Sequence, residues 1–262
     1  MKDVGGVYGL DTVVFFINES CEFFRDHVEC QFCSVNYVAR GLKLNDRTKT
    51  EGEITETLLA ARQEGYEFVN FIGGSYRDHD YEFRLYLDIV RKCREATGTS
   101  VIEGAIISMP PEDFRILEEA RGCGIRALKF NLEIFDETLF ERYMPGKALY
   151  GRGRLLEALR EAVRIWGEGN VYSNLLIGIE PVPSVVEGFK ELASLGVVPV
   201  GKTFHPDLGT RMHNHGTFNP DQLLEAFRGL HEATRGTGLQ PWLSPRSLRG
   251  SLAWEFKRGY LA

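Results

Sequence analysis

Apolar residues gather along the chain into short, nearly continuous runs at Thr12–Ile17, Phe68–Ile72, Val101–Ile107, Ala127–Phe130, Val171–Ile177 and Val197–Phe204. These runs lack the strict alternation of a half-exposed strand, so each predicts a strand covered on both faces, as in parallel sheets. Between them the periodicity changes. Glu53–Glu64, Tyr81–Ala96, Pro111–Arg121, Gly153–Trp166, Ser184–Leu195 and Pro220–Thr234 repeat apolar residues every three or four positions, and Leu155, Leu159, Ala162 and Val163 show the stripe. The punctuation agrees. Thr50 and Glu53 have capping-box spacing, Pro110-Pro111 is placed to open a helix, and Gly65, Gly98, Gly122, Gly124 and Gly196 sit where helices should stop.

The order is strand then helix, about six times over, in a single expected domain spanning 1–262. Its core runs from about 12 to 234, and the Trp- and Pro-bearing segment 235–262 reads as a closing piece. The polar stretch Arg40–Thr50 is expected to be a loop. A barrel and an open doubly wound sheet both satisfy this alternation, because right-handed crossovers generate either one.

Composition narrows the partners. Thirty-seven acidic against 31 basic residues leave a net charge of −6, so no basic field exists for binding phosphate backbones and nucleic acid is not expected. No apolar run approaches the ~18 residues that span a bilayer, and Met1–Gly6 lacks a signal-peptide core, so membrane association is not expected and a cytoplasmic location is. Five cysteines, an odd number, suit a reducing compartment better than a disulfide framework.

Three of those cysteines cluster. Cys21, Cys30 and Cys33 follow the first predicted strand as C-x8-C-x2-C, which puts them at the carboxyl edge of a parallel sheet, where function concentrates. Three thiolates can hold three irons of a cubane cluster and leave the fourth open to an outside ligand. The rival is zinc: Cys30 and Cys33 have knuckle spacing, and His213 and His215 could complete a four-ligand structural site. Cys93 and Cys123 stand in or beside predicted helices and read as small packing hydrophobes.

From about Thr12 to Thr210 the chain resembles the radical S-adenosylmethionine (radical SAM) superfamily, closest to its biotin-synthase-like branch. The resemblance rests on several motifs in order. The first is the cysteine trio with aromatic Phe32 between the last two, although the superfamily's common spacing is C-x3-C-x2-C. Phe71-Ile72-Gly73-Gly74-Ser75 then resembles the glycine motif that binds the SAM amino group. Asn131-Leu132-Glu133 is similar to the motif holding ribose and the methionyl portion. Arg154 matches an arginine that pairs with the SAM carboxylate, and Leu176-Ile177-Gly178-Ile179-Glu180 matches a segment packing on adenine. The residue types suit these tasks: glycines let backbone approach closely, a carboxylate accepts hydroxyl protons, and arginine offers a planar fork.

The resemblance implies an α/β fold, a partial (β/α)6 barrel of the TIM type with outer helices. It also implies one oxygen-sensitive [4Fe-4S] cluster on Cys21, Cys30 and Cys33 with S-adenosylmethionine on its open iron. In such enzymes reductive cleavage of SAM yields a 5′-deoxyadenosyl radical that takes hydrogen from a small-molecule substrate. It further implies an electron donor such as flavodoxin or ferredoxin. Without a second cysteine set, a single-cluster enzyme is expected. Sulfur insertion or methyl transfer with a partner protein is the alternative within the superfamily. Substrate-facing candidates on the same edge are Lys202, His205 and Tyr76, with Arg77, His79, Arg115 and Glu180 weaker. Met144-Pro145-Gly146-Lys147 reads only as a turn.

Overall fold

The computed structural model describes residues 4–35, 48–242, 244 and 251–261. Its seven strands form one sheet in chain order: β1 (Gly5–Tyr8), β2 (Thr12–Phe16), β3 (Phe68–Ile72), β4 (Ile102–Ile107), β5 (Ile125–Lys129), β6 (Val171–Ile177) and β7 (Val198–Thr203). From β2 to β7 all neighbours are parallel. The six apolar runs of the sequence are these six strands. β1 is additional and antiparallel to β2; its Gly-Gly-Val-Tyr is largely exposed, so no apolar pattern announces it.

The helices are α1 (Glu22–Arg25), α2 (Glu51–Gln63), α3 (His79–Thr97), α4 (Arg115–Arg121), α5 (Glu137–Tyr143), α6 (Pro145–Tyr150), α7 (Arg152–Trp166), α8 (Val182–Ser194), α9 (Pro220–Thr234) and α10 (Ala253–Lys257), and the longer ones cover the outer face. The Thr50–Glu53 capping box is present, with Glu53 N donating to Thr50 Oγ1 (3.3 Å) and Thr50 N to Glu53 Oε2 (2.9 Å). Pro110-Pro111 does not open a helix. Asp80 Oδ1 accepts from Glu112 N (2.7 Å) and Asp113 N (3.1 Å), which satisfies those amides outside any helix, and α4 starts only at Arg115. Most of the Arg40–Thr50 loop lies outside the described residues.

The sheet curls into a half-barrel with two apolar compartments. The larger lies between strands and helices, where Phe15, Phe71, Leu128 and Val171 meet Leu58, Phe83, Leu159 and Phe189. The smaller lines the concave face: Ala105, Ala127, Tyr172, Val198 and Val200, joined by Leu239 from the segment after α9. Tyr172 Oη donates to Trp242 O (3.5 Å), so that segment backs onto the concave face. The edge strands approach each other across the mouth, where Lys202 Nζ on β7 donates to Tyr8 Oη on β1 (3.5 Å). Cys93 and Cys123 are buried in the larger compartment. No helix among the described residues is long and apolar enough to cross a membrane.

Candidate active site

A cavity of about 700 Å³ opens at the carboxyl end of β2, β3 and β4. Cys21, Cys30, Cys33, Phe32, Gly73, Gly74, Ser75, Asn131 and Glu133 all line it. The long C-x8-C spacing is absorbed locally. The residues after Cys21 wind into α1, His27 turns the chain with a left-handed φ of 59°, and Val28 N returns to Phe23 O (2.9 Å). Phe23 is the buried anchor of this loop and meets the His79 ring edge-on.

The glycine motif is demanded first by protein backbone. An added Cβ at Gly73 would lie 2.9 Å from Asn18 N and O, and one at Gly74 would collide with the Ser20 carbonyl and crowd Cys21 N. The loop carrying Cys21 thus runs directly over the end of β3, and only glycine leaves room for it. Glu22 N donates to Ser75 O (2.8 Å), which completes the seam.

Burial pushes all three thiols up: Cys33 to about 11, Cys30 further, and Cys21 in the same direction. At Cys30 both other thiols of the trio add to the rise, and at Cys33 the Cys21 thiol does. The Lys147 ammonium opposes it at all three. Three buried thiols beside one wall, none of them in a disulfide, become thiolates when a cationic metal body offsets the cost of burying their charge. That donor chemistry fits an iron–sulfur cluster.

Glu133 stands in a left-handed conformation, φ 66°, which costs a non-glycine residue about 1–2 kcal/mol. Two bonds to β6 hold it there: Glu133 N to Asn174 O (2.8 Å) and Leu176 N to Glu133 O (2.7 Å). Burial raises its carboxyl, and Lys147, Lys129 and Lys202 pull it back down. Lys147 Nζ donates to Asn131 O (2.7 Å), so one ammonium serves the Asn-Leu-Glu turn and the thiols together. The turn expected at Met144–Lys147 is the start of α6. Gly146 N donates to Val28 O (2.8 Å), and a Cβ at Gly146 would lie 2.8 Å from Phe23 Cγ, which seats Lys147 against the cysteine loop.

No family model matches the chain. Over 119 residues it is 35% identical to the bacteriochlorophyllide c C-7(1)-hydroxylase of Chlorobaculum limnaeum, covering 45% of this chain and 30% of the hydroxylase. An uncharacterized protein of Methanocaldococcus jannaschii is 26% identical over 170 residues, 63% of this chain and 42% of that protein. Among solved structures, methylornithine synthase superposes with a TM-score of 0.65 at 19% identity over 85% of this chain and 63% of its own. The FeFe-hydrogenase maturase of Carboxydothermus hydrogenoformans gives 0.69 at 14% over 91% of this chain and 55% of its own. A radical SAM methyltransferase from Sphaerobacter thermophilus gives 0.65 at 16% over 87% and 65% respectively.

The chain has the fold of radical SAM enzymes. The half-barrel matches their partial TIM barrel. The matched stretches span less than two-thirds of each of these relatives.

Several residues expected from the radical SAM resemblance or from the edge of the sheet stand outside the cavity lining. Arg154 stacks on Phe114, its guanidinium carbon 3.8 Å from the ring centre, and Nη2 donates to Glu112 O (2.8 Å). Ile177 turns its side chain into the compartment beneath the helices. Tyr76 Oη bonds Thr48 Oγ1 (2.5 Å), and its ring packs edge-on with Tyr81. His205 is exposed, and Lys202 lies on the concave face beside Tyr8. Glu180 is buried as a brace, accepting from Phe135 N (2.8 Å), Asp136 N (2.9 Å) and Ser184 Oγ (2.6 Å). The zinc alternative needs His213 and His215 beside the cysteines. Neither lines the cavity: His213 Nδ1 is 2.8 Å from Thr210 O, and His215 packs against Phe204. Lys49 and Glu19, which the sequence reading passed over, face the cavity as a buried ion pair.

Proposed function

We propose that this chain is a radical SAM enzyme in which Cys21, Cys30 and Cys33 hold one [4Fe-4S] cluster and the adjoining cavity seats S-adenosylmethionine, for reaction with a small molecule. The observation that carries this reading is the convergence of all three cysteines and both adjacent sequence motifs on one cavity. When bound, the cluster and SAM supply a one-electron cleavage that yields a 5′-deoxyadenosyl radical able to remove hydrogen from substrate.

The chain's own residues bind, orient and exclude water. Backbone at Gly73 to Ser75 offers carbonyl groups for the methionyl ammonium, Glu133 offers acceptors for ribose hydroxyls, and Phe32 offers an apolar ring for adenine. Lys147 supplies positive charge beside the thiolates and braces the Asn131 turn. Arg154 has no role in this arrangement, because its guanidinium is occupied elsewhere. Residues 1–262 act as one catalytic domain, in a reducing cytoplasm, with a flavodoxin- or ferredoxin-type donor supplying the electron.

Anaerobic reconstitution tests the reading. About four irons and four sulfides per chain are expected, with a brown absorbance. The dithionite-reduced protein should then release 5′-deoxyadenosine from SAM, and Cys30→Ala and Cys33→Ala should not. A colourless protein, or release that survives both substitutions, overturns the assignment.

A further inference from the structure

Deeper in the half-barrel, the concave face carries polar groups that the cavity around the cysteines does not use. Side chains alternate along a strand, so residues in step with the apolar lining share its face. Lys129 is two residues beyond Ala127 on β5, and Lys202 two beyond Val200 on β7; Ala127 and Val200 both belong to the concave compartment. Asn174 stands two beyond Tyr172 on β6, and Asn70 on β3 precedes Ile72, which lines the cavity. Four polar side chains from four strands therefore face one interior.

Their bonding is incomplete. Among the described residues the Lys129 ammonium makes no hydrogen bond or ion pair, and the Lys202 ammonium has only the long contact to Tyr8 Oη and that ring's face, 5.5 Å away. The side-chain oxygens of Asn70 and Asn174 are buried without a partner. Each such group is costly to leave unpaired, so a cluster of them on an enclosed face marks a place where a ligand completes the bonding. The charges define that ligand. Lys129 and Lys202 are close enough to repel each other, and Glu133 is the one carboxylate acting on Lys129. Two ammonium groups against one carboxylate leave one positive charge to balance.

We propose that the concave face between β3 and β7 is the substrate subsite, and that it takes a carboxylate on Lys129 and Lys202 while Asn70 and Asn174 accept hydrogen bonds from a hydroxyl or ammonium group of the same molecule. The inference rests on the proposed radical SAM reading only for calling this ligand the substrate; the anion site itself stands on the strand geometry. Burial and the neighbouring Lys202 bring Lys129 down to about 7, so an arriving carboxylate draws a proton onto it. Binding therefore weakens as pH rises above neutrality.

Titration calorimetry of the anaerobically reconstituted protein with succinate, malate and inorganic phosphate tests this. Succinate should bind with millimolar affinity or better and weaken at least tenfold between pH 6.5 and 9. Malate, with its added hydroxyl, should bind more tightly than succinate. Lys129→Met and Lys202→Met should each weaken succinate at least tenfold. Because a variant can fail to fold, a second readout uses the wild-type chain: an amine-reactive label should modify Lys129 near neutral pH, and malate should protect it. No succinate or malate binding, binding indifferent to both substitutions, or tighter binding of phosphate each overturns the proposal. The two readings fail separately. Wild-type protein that releases 5′-deoxyadenosine yet binds no carboxylate sinks this inference alone, whereas protein that binds malate yet never cleaves SAM sinks only the earlier one.

Discussion

Asn18 and Gly74 are bonded to each other in both directions: Gly74 N donates to Asn18 O (2.8 Å), and Asn18 Nδ2 donates to Gly74 O (3.4 Å). Asn18 is buried, and its Oδ1 also accepts from Ser20 N (3.1 Å). One asparagine thus ties the loop after β2, which delivers Cys21, to the loop after β3, which lines the cavity. The position of the first cysteine is a consequence of this seam, and the seam closes only over a residue without a Cβ.

Gly74→Ala follows from that geometry. The new methyl meets the Ser20 carbonyl, a backbone atom that cannot swing aside, so the Cys21 loop must lift. Overpacking of this kind costs about 1–3 kcal/mol. Thermal unfolding should show that loss, and iron bound on reconstitution should fall well below that of the parent. An alanine variant with full iron content would mean that the loop does not rest on Gly74.

Arg154 and Glu133 make opposite predictions. Arg154→Ala removes a stack on Phe114 and a bond to Glu112 O at an exposed site, worth about 0.5–1.5 kcal/mol of stability. SAM affinity, measured by equilibrium dialysis, should stay within about twofold. Glu133→Ala removes an acceptor in the cavity and should weaken SAM by about 1.5–3 kcal/mol, the range of a charged hydrogen bond. If Arg154→Ala weakens SAM as much as Glu133→Ala does, the guanidinium reaches the ligand after all.

Much of this was legible in the sequence, and the failures have physical causes. Parallel strands buried on both faces announce themselves as apolar runs, and all six are present where those runs lie. β1, α5 and α6 escaped because four exposed residues or two short turns carry too little periodicity to register. The cysteine trio, Gly73–Gly74 and Asn131–Glu133 stood out as motifs and do meet around one cavity. Lys147, Lys129, Asn70 and Asn174 did not. A single polar residue inside an apolar strand, or one lysine after Pro-Gly, changes no pattern; only the curl of the sheet shows that they face one another's neighbourhood.

Glu82 gives a pH dependence whose sign is fixed by burial. It is fully buried on α3; Oε2 accepts from Tyr76 N (2.9 Å), and Oε1 has no partner. Burial raises its carboxyl, and His79, 3.9 Å away, only partly offsets this. A raised folded value means that the stabilising contribution is complete below the unfolded value of about 4.3 and is lost as pH climbs through the folded one. Glu82→Gln cannot ionise. The parent should therefore lose melting temperature relative to the variant as pH rises from 4 to 8, and the two curves should converge at the acid end. Parallel curves would show that Glu82 titrates as it does in the unfolded chain.

Lys49 and Glu19 test how the cavity wall is built. They form an ion pair with side-chain exposures of 3% and 11%, and Lys49 Nζ also donates to the Phe16 carbonyl at the end of β2. Removing one partner of a buried pair strands the other charge and costs about 3–5 kcal/mol, whereas replacing both with apolar groups is often neutral. Lys49→Met should accordingly unfold at a markedly lower temperature, and Lys49→Met with Glu19→Leu should regain most of the loss. Stability and chemistry separate at this point. The double variant restores the wall but leaves the cavity without a charge pair beside the cysteine loop. If that pair only holds the loop, cluster content should recover together with melting temperature. If melting temperature recovers and cluster content does not, the charges themselves act on the cluster site.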